Sequence, residues 1–343
     1  MYDNIFISVI CPVYNEQAYI ESFLDSIIAQ DFPQNNTEVF IIDGGSNDST
    51  VKIIKKYIFK YKFIKYLNNI DRFQVYAMNI GIKASKGDYI IRLDAHSVYP
   101  KDYFSSLIKT AVNLSADNVG GICETLPAND TLIPKSISLA MSHPFGVGNS
   151  MFRIGSKDII QTDTVPFGCY KSSVFDLIGY FDTDLKRNED DEFNARLINN
   201  GGKIFLNPDI VVKYFGRDSI LKTSMMFYQY GFFKPLVNIK TKSITTVRQI
   251  IPLLFVLFLT IGSIFSFFNA SIFIIYTLSI LIYFFLSFII SFFLAFKNKK
   301  FMLFLLLPIT FLVIHLSYGW GYLLGLVSFN LLKKNTYYAS VTR

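Results

Sequence analysis

Between Gln249 and Phe296 the chain carries no charged side chain, and between Phe301 and Leu332 it again carries none. No other feature of its 343 residues narrows the possible folds so far. A helix needs roughly 20 apolar residues to cross a bilayer. The first run is too long for one crossing, and "FNAS" (268–271) divides it into spans over 250–268 and 271–296. The second run, 301–329, reads as one tilted span or as a broken element, because Pro308, Gly319, Gly321 and Gly325 interrupt it. Core helices of a soluble domain are the alternative, and uncharged stretches of this length argue against it.

The formal net charge of +7 has a place in this arrangement. Lys240, Lys242 and Arg248 precede the first run, and Lys297, Lys299 and Lys300 follow the second span. Lys and Arg gather on the cytoplasmic side of membrane segments. Two crossings between these clusters therefore predict that residues 1–248 are cytosolic. Lys333 and Lys334 favour a cytosolic C-terminus, whereas a single third span places it outside, and both readings stand. The expected organisation is a domain over 1–235, an interfacial or juxtamembrane linker over 236–249, membrane segments over 250–332 and a tail over 333–343. "SMMFYQYGFFKPLVNI" (224–239) reads equally as an interfacial helix and as an ordinary packing helix. No basic stripe with interleaved aromatics occurs, so nucleic acid is not an expected partner. Three widely spaced cysteines, Cys11, Cys123 and Cys169, lack metal-ligand spacing and fit a reducing compartment. "MYDNIFISVICPVYNE" has no basic leader and predicts a strand rather than a signal peptide.

The first 100 residues alternate between strand and helix patterns. "IFISVICPV" is an apolar, β-branched run of the kind buried in parallel sheets. Ile20, Phe23, Leu24, Ile27 and Ile28 then recur at helical spacing within 16–30. "EVFIID" (38–43) predicts a second buried strand, with Ser49 and Thr50 capping a helix that runs to about Tyr61. "FIKYLN" is a weaker strand, "QVYAMNIGIKAS" a helix, and "DYIIRLDA" a strand with an abrupt polar end at Asp94. This alternation predicts an α/β sheet covered on both faces.

Such sheets bind ligands beyond the carboxyl ends of their strands, where the chain switches direction. Tyr14, Asn15 and Glu16 follow the first strand, Asp43 the second, and Asp94 and His96 a later one. Loops are commonly polar, but an acid at each of three strand ends marks a candidate site. Asp94 and His96 occupy alternate positions, so both point to one side. A carboxylate with a neutral imidazole suits Mn²⁺ or another borderline cation, while Mg²⁺ prefers oxygens. An ion already held by a diphosphate needs few protein ligands. The competing reading has His96 capping a turn and Asp94 paired with Arg92. The glycines of "GGSNDST" admit a ligand to the backbone without forming a Walker motif, and Asp43 can accept hydrogen bonds from a nucleobase or ribose.

A second acidic cluster lies in "NEDDEFNARL" (188–197). Glu189 to Glu192 open a helix with Phe193 and Leu197 on one face. Acids at a helix N-terminus are ordinary capping chemistry. Four exceed what capping needs, and adjacent carboxylates raise one another's pKa. A carboxylate tuned in this way can deprotonate a hydroxyl near neutral pH, and Arg196 stands at helical spacing to balance Glu192. The preceding "TVPFGCYKSSVFDLIGYFDTDL" reads as the wall of a sugar pocket or as core packing.

In their order, "ISVICPVYNEQAYI", "VFIIDGGSNDST", "NIGIKASKGDYIIRLDAHSVYP" and "NEDDEFNARL" resemble the family 2 glycosyltransferases of the GT-A fold, over about residues 5–235. Within that family the chain is similar to the succinoglycan-biosynthesis type of exopolysaccharide glycosyltransferase. Asp-Ala-His in place of Asp-x-Asp, "HPFGVGNSMFR", "VPFGCY" and "HLSYGWGYLLG" carry that likeness through residue 330. The resemblance implies a Rossmann-like, mostly parallel sheet with helices on both faces, followed by C-terminal transmembrane α-helices. It also implies inverting transfer of a sugar from a nucleotide-diphosphate donor. Pro12, Tyr14, Glu16 and Asp43 would line the nucleotide pocket. Asp94 and His96 would hold a divalent cation, Mn²⁺ or Mg²⁺, on the donor diphosphate. Asp190 would be the general base, with Glu189 and Asp191 as accessory acids and Arg217 and Lys213 reaching the phosphates.

Two departures from the family pattern qualify this expectation. The common Asp-Asp-Gly-Ser loop is here Asp43-Gly44-Gly45-Ser46, which removes one carboxylate from the nucleobase. Gln-x-x-Arg-Trp of the processive synthases is absent, the only Trp being Trp320, so one sugar is expected per encounter. The acceptor expected from the apolar spans is a lipid-linked saccharide at the cytoplasmic face of the plasma membrane. The alternatives are a polyprenyl-phosphate sugar transferase and a non-catalytic membrane subunit that binds nucleotide sugars.

Overall fold

A computed structural model of the protein describes residues 4–244 and 246–333. Expectations for the tail from Lys334 onward fall outside the described residues. The chain divides into two compact units, Met1–Glu124 with Gly155–Tyr214, and Thr125–Ile154 with Phe215–Arg343.

The first unit is built on β1 (Ile7–Val13), β2 (Thr37–Asp43), β3 (Ile64–Asn68) and β4 (Tyr89–Arg92), which lie parallel in the order β3-β2-β1-β4. All seven residues of β2 are buried, as a run with no polar face requires. Helices α1 (Ile20–Ile28), α2 (Thr50–Lys60) and α3 (Gln74–Ala84) alternate with these strands, and α1 buries Ile20, Phe23, Leu24 and Ile27. Helix α4 (Tyr103–Leu114) follows the two-residue strand β5 (Ser97–Val98).

Beyond β4 the sheet departs from the mostly parallel expectation. Strand β8 (Cys169–Lys171) lies between β4 and β6 (Asn118–Leu126) and runs antiparallel to both. Strand β9 (Ile204–Phe215) pairs antiparallel with β5 and with β7 (Ile160–Gln161). The result is a nine-stranded mixed sheet.

The second unit is helical: α5 (Leu132–Met141), α6 (Pro144–Val147), α7 (Met151–Ile154), α10 (Ile220–Thr241), α11 (Ile251–Ser266), α12 (Ala270–Lys297) and α13 (Leu303–Gly325). Among the described residues, three helical stretches are long and apolar enough to cross a membrane: Val247–Ser266, Ala270–Lys297 and Leu303–Leu331. Helix α11 ends at Ser266 and α12 begins at Ala270. Asn269 caps α12 by accepting from the Ser271 and Ile272 amides at 2.8 and 3.2 Å. The third stretch is continuous through Pro308 and the glycines, and it is more buried than the other two.

The glycines explain that burial. Ser317, Gly321 and Gly325 recur every fourth residue along one side of α13 and receive α10. The Ser224 and Ser317 hydroxyls meet at 2.8 Å, Gly321 faces the Tyr228 carbonyl and Gly325 the Phe232 carbonyl. The constant offset of 93 residues means that the two helices run in the same direction. Gly231 of α10 faces the Tyr318 carbonyl in return, and Gly319 faces the Pro252 carbonyl of α11. Small residues at this spacing let helix backbones touch, as in membrane bundles.

Segment 125–154 packs in this unit as well, where the sequence places it within the 1–235 domain. Ile137 and Met141 of α5 share a core with Leu303, Leu307 and Phe311 of α13. The Ser136 hydroxyl meets Thr310 Oγ1 at 3.0 Å. His315 Nε2 lies 2.8 Å from the Phe145 carbonyl, and its Nδ1 lies 2.9 Å from Tyr283 Oη. These polar groups of the apolar helices are thus partnered, as a nonaqueous surrounding demands.

A Cβ at Gly321 would collide with the Tyr228 carbonyl. Gly321→Leu should therefore destabilise the detergent-solubilised protein by roughly 2 kcal/mol or more, read as a lowered Tm. Gly216→Ala, whose added Cβ meets its nearest atom at 3.4 Å, should leave Tm nearly unchanged.

Candidate functional site

The strand order puts β2 and β3 on one side of β1 and β4 on the other, so the chain switches direction between β1 and β4. Their pairing ends at Ile10 opposite Arg92. Pro12, half-buried and unable to donate, comes just after β4 has parted from β1. The loops that follow, Tyr14–Glu16 and Asp94–His96, flank the crevice in which such sheets bind ligands.

The loop after β1 and the loop after β2 are joined by reciprocal hydrogen bonds. The Asn15 amide donates to Ser46 Oγ at 2.8 Å, and the Asn47 amide donates to Asn15 Oδ1 at 2.9 Å. The Glu16 amide donates to Thr50 Oγ1 at 2.8 Å. Asn15 has φ 54°, the left-handed conformation that Asn tolerates better than most residues. Capping of α2 differs from the expectation. Thr50 Oγ1 is spent on Glu16, Ser49 makes no side-chain cap, and Asp48 Oδ1 accepts from the Thr50 amide at 2.9 Å.

Asp43 is buried at the end of β2, and its carboxylate organises this loop. It accepts from the Ser46 hydroxyl at 2.5 Å, the Ser46 amide at 3.1 Å, the Gly45 amide at 3.2 Å and the Tyr66 hydroxyl at 3.2 Å. Much of its acceptor capacity is used within the protein. Tyr14 lies beside Gly44.

On the other side of the crevice, Tyr99 closes the turn after β4. Its hydroxyl accepts from the Asp94 amide at 2.9 Å and donates to the Asp94 carbonyl at 3.2 Å. His96 Nδ1 lies 3.3 Å from Glu16 Oε1, and its ring faces Tyr214 at 5.6 Å between centroids. The structure therefore brings Glu16 and His96 together across the crevice. Lys213 is exposed on β9 opposite Val98, one residue before Tyr214. Arg217 belongs to the second unit, where its Nε is buried without a hydrogen-bond acceptor. Among the described residues no three His, Cys, Asp or Glu side chains gather to hold a metal.

Helix α9 (Glu189–Asn199) presents the acids as expected, with Phe193 and Leu197 buried. Tyr170, Phe175 and Phe181 pack around Phe193 at ring distances of 4.5 to 5.4 Å. Those aromatics of the preceding segment are core packing that fixes the helix. The acids themselves differ sharply. Glu192 is bound by Arg196, with Nε to Oε1 at 2.8 Å and Nη2 to Oε2 at 2.9 Å. The side chains of Glu189 and Glu192 are 7% and 5% exposed, whereas that of Asp190 is 32% exposed.

Arg92 lies among the remaining carboxylates. Its Nε is 3.9 Å from Asp94 Oδ1, and its Nη1 is 3.7 Å from Glu189 Oε1 and 3.5 Å from Asp190 Oδ2. The pairing of Arg92 with Asp94 is thus present, as part of a larger group. Burial disfavours the charge on Arg92, and Asp94, Asp190 and Glu189 more than restore it, raising its pKa. Burial is also the main reason that the Glu189 carboxyl is pushed up to about 7, with Asp190 adding to the rise and Arg92 opposing it. Neither Arg92 nor Tyr99 is among the site residues expected from sequence. A charged residue closing the apolar run of β4, at an alternate position to Asp94, was the available signal for Arg92.

The description glycosyl transferase family 2 matches residues 8–176. The dolichyl N-acetyl-alpha-D-glucosaminyl phosphate 3-beta-D-2,3-diacetamido-2,3-dideoxy-beta-D-glucuronosyltransferase of Methanococcus voltae is 35% identical over 240 residues, covering 68% of this chain and 74% of its own length. The succinoglycan biosynthesis protein ExoA of Rhizobium meliloti is 27% identical over 247 residues, covering 71% and 74%. Among solved structures, the mannosyltransferase PcManGT from Pyrobaculum calidifontis in complex with GDP-Man and Mn²⁺ superposes with a TM-score of 0.59 at 16% identity, over 92% of this chain and 87% of that one. S. aureus TarS 1–349 gives a TM-score of 0.52 at 21% identity, over 69% and 65%. At these identities the structures show the fold, which is GT-A.

The Glu189 pKa has a direct consequence for stability. Its ordinary value is 4.5 and its folded value about 7, so the folded state holds the proton more tightly than the unfolded one. This group's contribution is fully present at low pH and is lost as pH rises towards 7. Glu189→Gln should remove that loss. The Tm difference between variant and parent should grow in the variant's favour between pH 5 and pH 8, measured by thermal melts across that range.

Proposed function

The chain belongs to glycosyl transferase family 2, and from that premise we propose that it transfers a single sugar, with inversion, from a nucleotide-diphosphate sugar to a lipid-linked saccharide during exopolysaccharide or cell-surface glycan assembly. The contrast within α9 carries this reading. Glu189 and Glu192 are buried, while Asp190 and Asp191 stand partly open, and of these two it is Asp190 that lies 3.5 Å from Arg92. A solvent-accessible carboxylate suits a general base; a buried one does not.

Pro12, Tyr14 and Glu16 line the nucleotide pocket, and Asp43 acts there mainly by shaping the loop that meets the nucleotide. In the transfer, the acceptor hydroxyl oxygen forms the new bond to the anomeric carbon. The bond to the diphosphate breaks with its electron pair on the leaving oxygen, and the hydroxyl proton goes to Asp190. The Asp191 amide, which donates to Asp190 Oδ1 at 3.0 Å, fixes the other oxygen of that carboxylate. Asp94 and His96 would hold a divalent cation, Mn²⁺ or Mg²⁺, on the donor diphosphate. Such an ion stabilises charge on the leaving group. Lys213 adds positive charge for the phosphates.

A membrane-bound acceptor accounts for the three apolar helices on a transferase. The protein is then a multi-pass protein of the plasma membrane with residues 1–248 in the cytosol. The M. voltae relative, named for a dolichyl phosphate-linked saccharide, and the R. meliloti relative, named for succinoglycan, support this class of acceptor.

The test is a screen of nucleotide sugars with Mn²⁺ and a membrane lipid extract as acceptor, followed by mass analysis of the lipid product. Asp190→Asn should lower turnover by about 10²–10⁴-fold. Asp94→Ala should abolish transfer, and His96→Ala should weaken it and change the metal preference. A fully active Asp190→Asn enzyme would redirect the reading to a polyprenyl-phosphate acceptor, because a phosphate needs no deprotonation. Absence of transfer and of donor hydrolysis with every common nucleotide sugar would leave a non-catalytic subunit. Full activity of the Asp94 and His96 variants in EDTA would exclude the cation.

A further inference from the structure

Arg92 is the last residue of β4, and its amide donates to the Gly168 carbonyl on the side of β8 at 3.0 Å. Its backbone is therefore fixed by the sheet. Its side chain is 11% exposed and faces three carboxylates from two parts of the chain: Asp94 just beyond its own strand, and Glu189 and Asp190 on the first turn of α9. With its amide oriented to suit its neighbours, Gln74 of α3 also accepts from Nη2 and, at 3.2 Å, from Nε. One planar group thus links the cation side of the crevice to the acid that faces the acceptor.

We propose that Arg92 is a positioning residue for the transfer, aiming the Asp190 carboxylate at the acceptor hydroxyl and holding it in register with Asp94. This rests on Asp190 being the base. Arg92 Nη1 donates to Asp190 Oδ2 in a long hydrogen bond of 3.5 Å, which orients the carboxylate. The Asp191 amide holds Oδ1, so the two contacts together fix the plane of the carboxylate. Gln74 takes the Nε–Nη2 edge of the rigid guanidinium, Nη1 faces the α9 acids, and Asp94 is reached by charge alone, 3.9 Å from Nε. A Lys ammonium is a point charge on a flexible stem and cannot reproduce that span.

The experiment is a double-mutant cycle on the full-length protein in detergent, with initial rates against donor and acceptor. Arg92→Gln should lower kcat by about 10²-fold while leaving the donor KM within a few-fold. Arg92→Lys should recover part of that loss. In an Asp190→Asn background, Arg92→Gln should cost less than about 3-fold more, because residues acting as a unit are not additive. Thermal melts identify a variant that fails to fold, and in that case Arg92→Lys carries the comparison. Full multiplicative loss in the double variant, or an unchanged kcat in a folded Arg92 variant, overturns the proposal and leaves Asp190 as base. A fully active Asp190→Asn enzyme overturns both readings.

Discussion

The Arg92 guanidinium, almost shut off from water, must balance Asp94, Glu189 and Asp190, and the geometry of the crevice depends on how that balance is struck. At 3.5 to 3.9 Å each pair is attracted by about 4 kcal/mol before desolvation is subtracted, at the effective dielectric typical of proteins. One cation cannot neutralise three carboxylates in a site of this kind. The mismatch is met by making the carboxylates unequal. Glu189, the most buried of them, leans towards its protonated form, which leaves the guanidinium for the two carboxylates nearer solvent. Glu192, outside this group, is occupied by Arg196. Burial thus sorts a run of acids that the sequence presents as equivalents.

The opposite side of the crevice is ordered by neutral hydrogen bonds. Asn15, Ser46, Asn47 and Thr50 knit the first two loops together, and Asp43 gathers the backbone of the second around one carboxylate. A preorganised rim of this kind loses little entropy when a ligand arrives. His96 with Glu16 forms the meeting point between the rim and the turn held by Tyr99. The histidine in the place of a second aspartate is thereby integrated into the crevice wall.

Much of this was legible because periodicity and burial report the same thing. The β1 and β2 runs, the face of α1 and the Phe193–Leu197 face of α9 are apolar for one reason, and each appears as an element where its pattern falls. The hairpin break at "FNAS" was readable from a cap residue between two apolar runs. What pattern does not encode is the partner. Nothing in the spacing of α5 says that Ile137 and Met141 will meet Leu307 and Phe311, more than 160 residues away. Strands of two or three residues, such as β5, β7 and β8, are too short to show an alternation, so the antiparallel half of the sheet was hidden. Arg92 was overlooked because its importance lies in α9, about a hundred positions downstream.

The backbone contact between α10 and α13 carries a consequence for how this chain tolerates change in length. Ser317, Gly321 and Gly325 act as the teeth of a rack engaging Ser224, Tyr228 and Phe232. A single inserted or deleted residue between Ser224 and Phe232 would rotate every later tooth by about 100° and bring bulky side chains against a bare backbone. The turn between α11 and α12 lies outside this rack, and its Phe267 and Phe268 are exposed. A change of length is therefore absorbed more readily at that turn than within α10 or α13, which must change together or keep their present length.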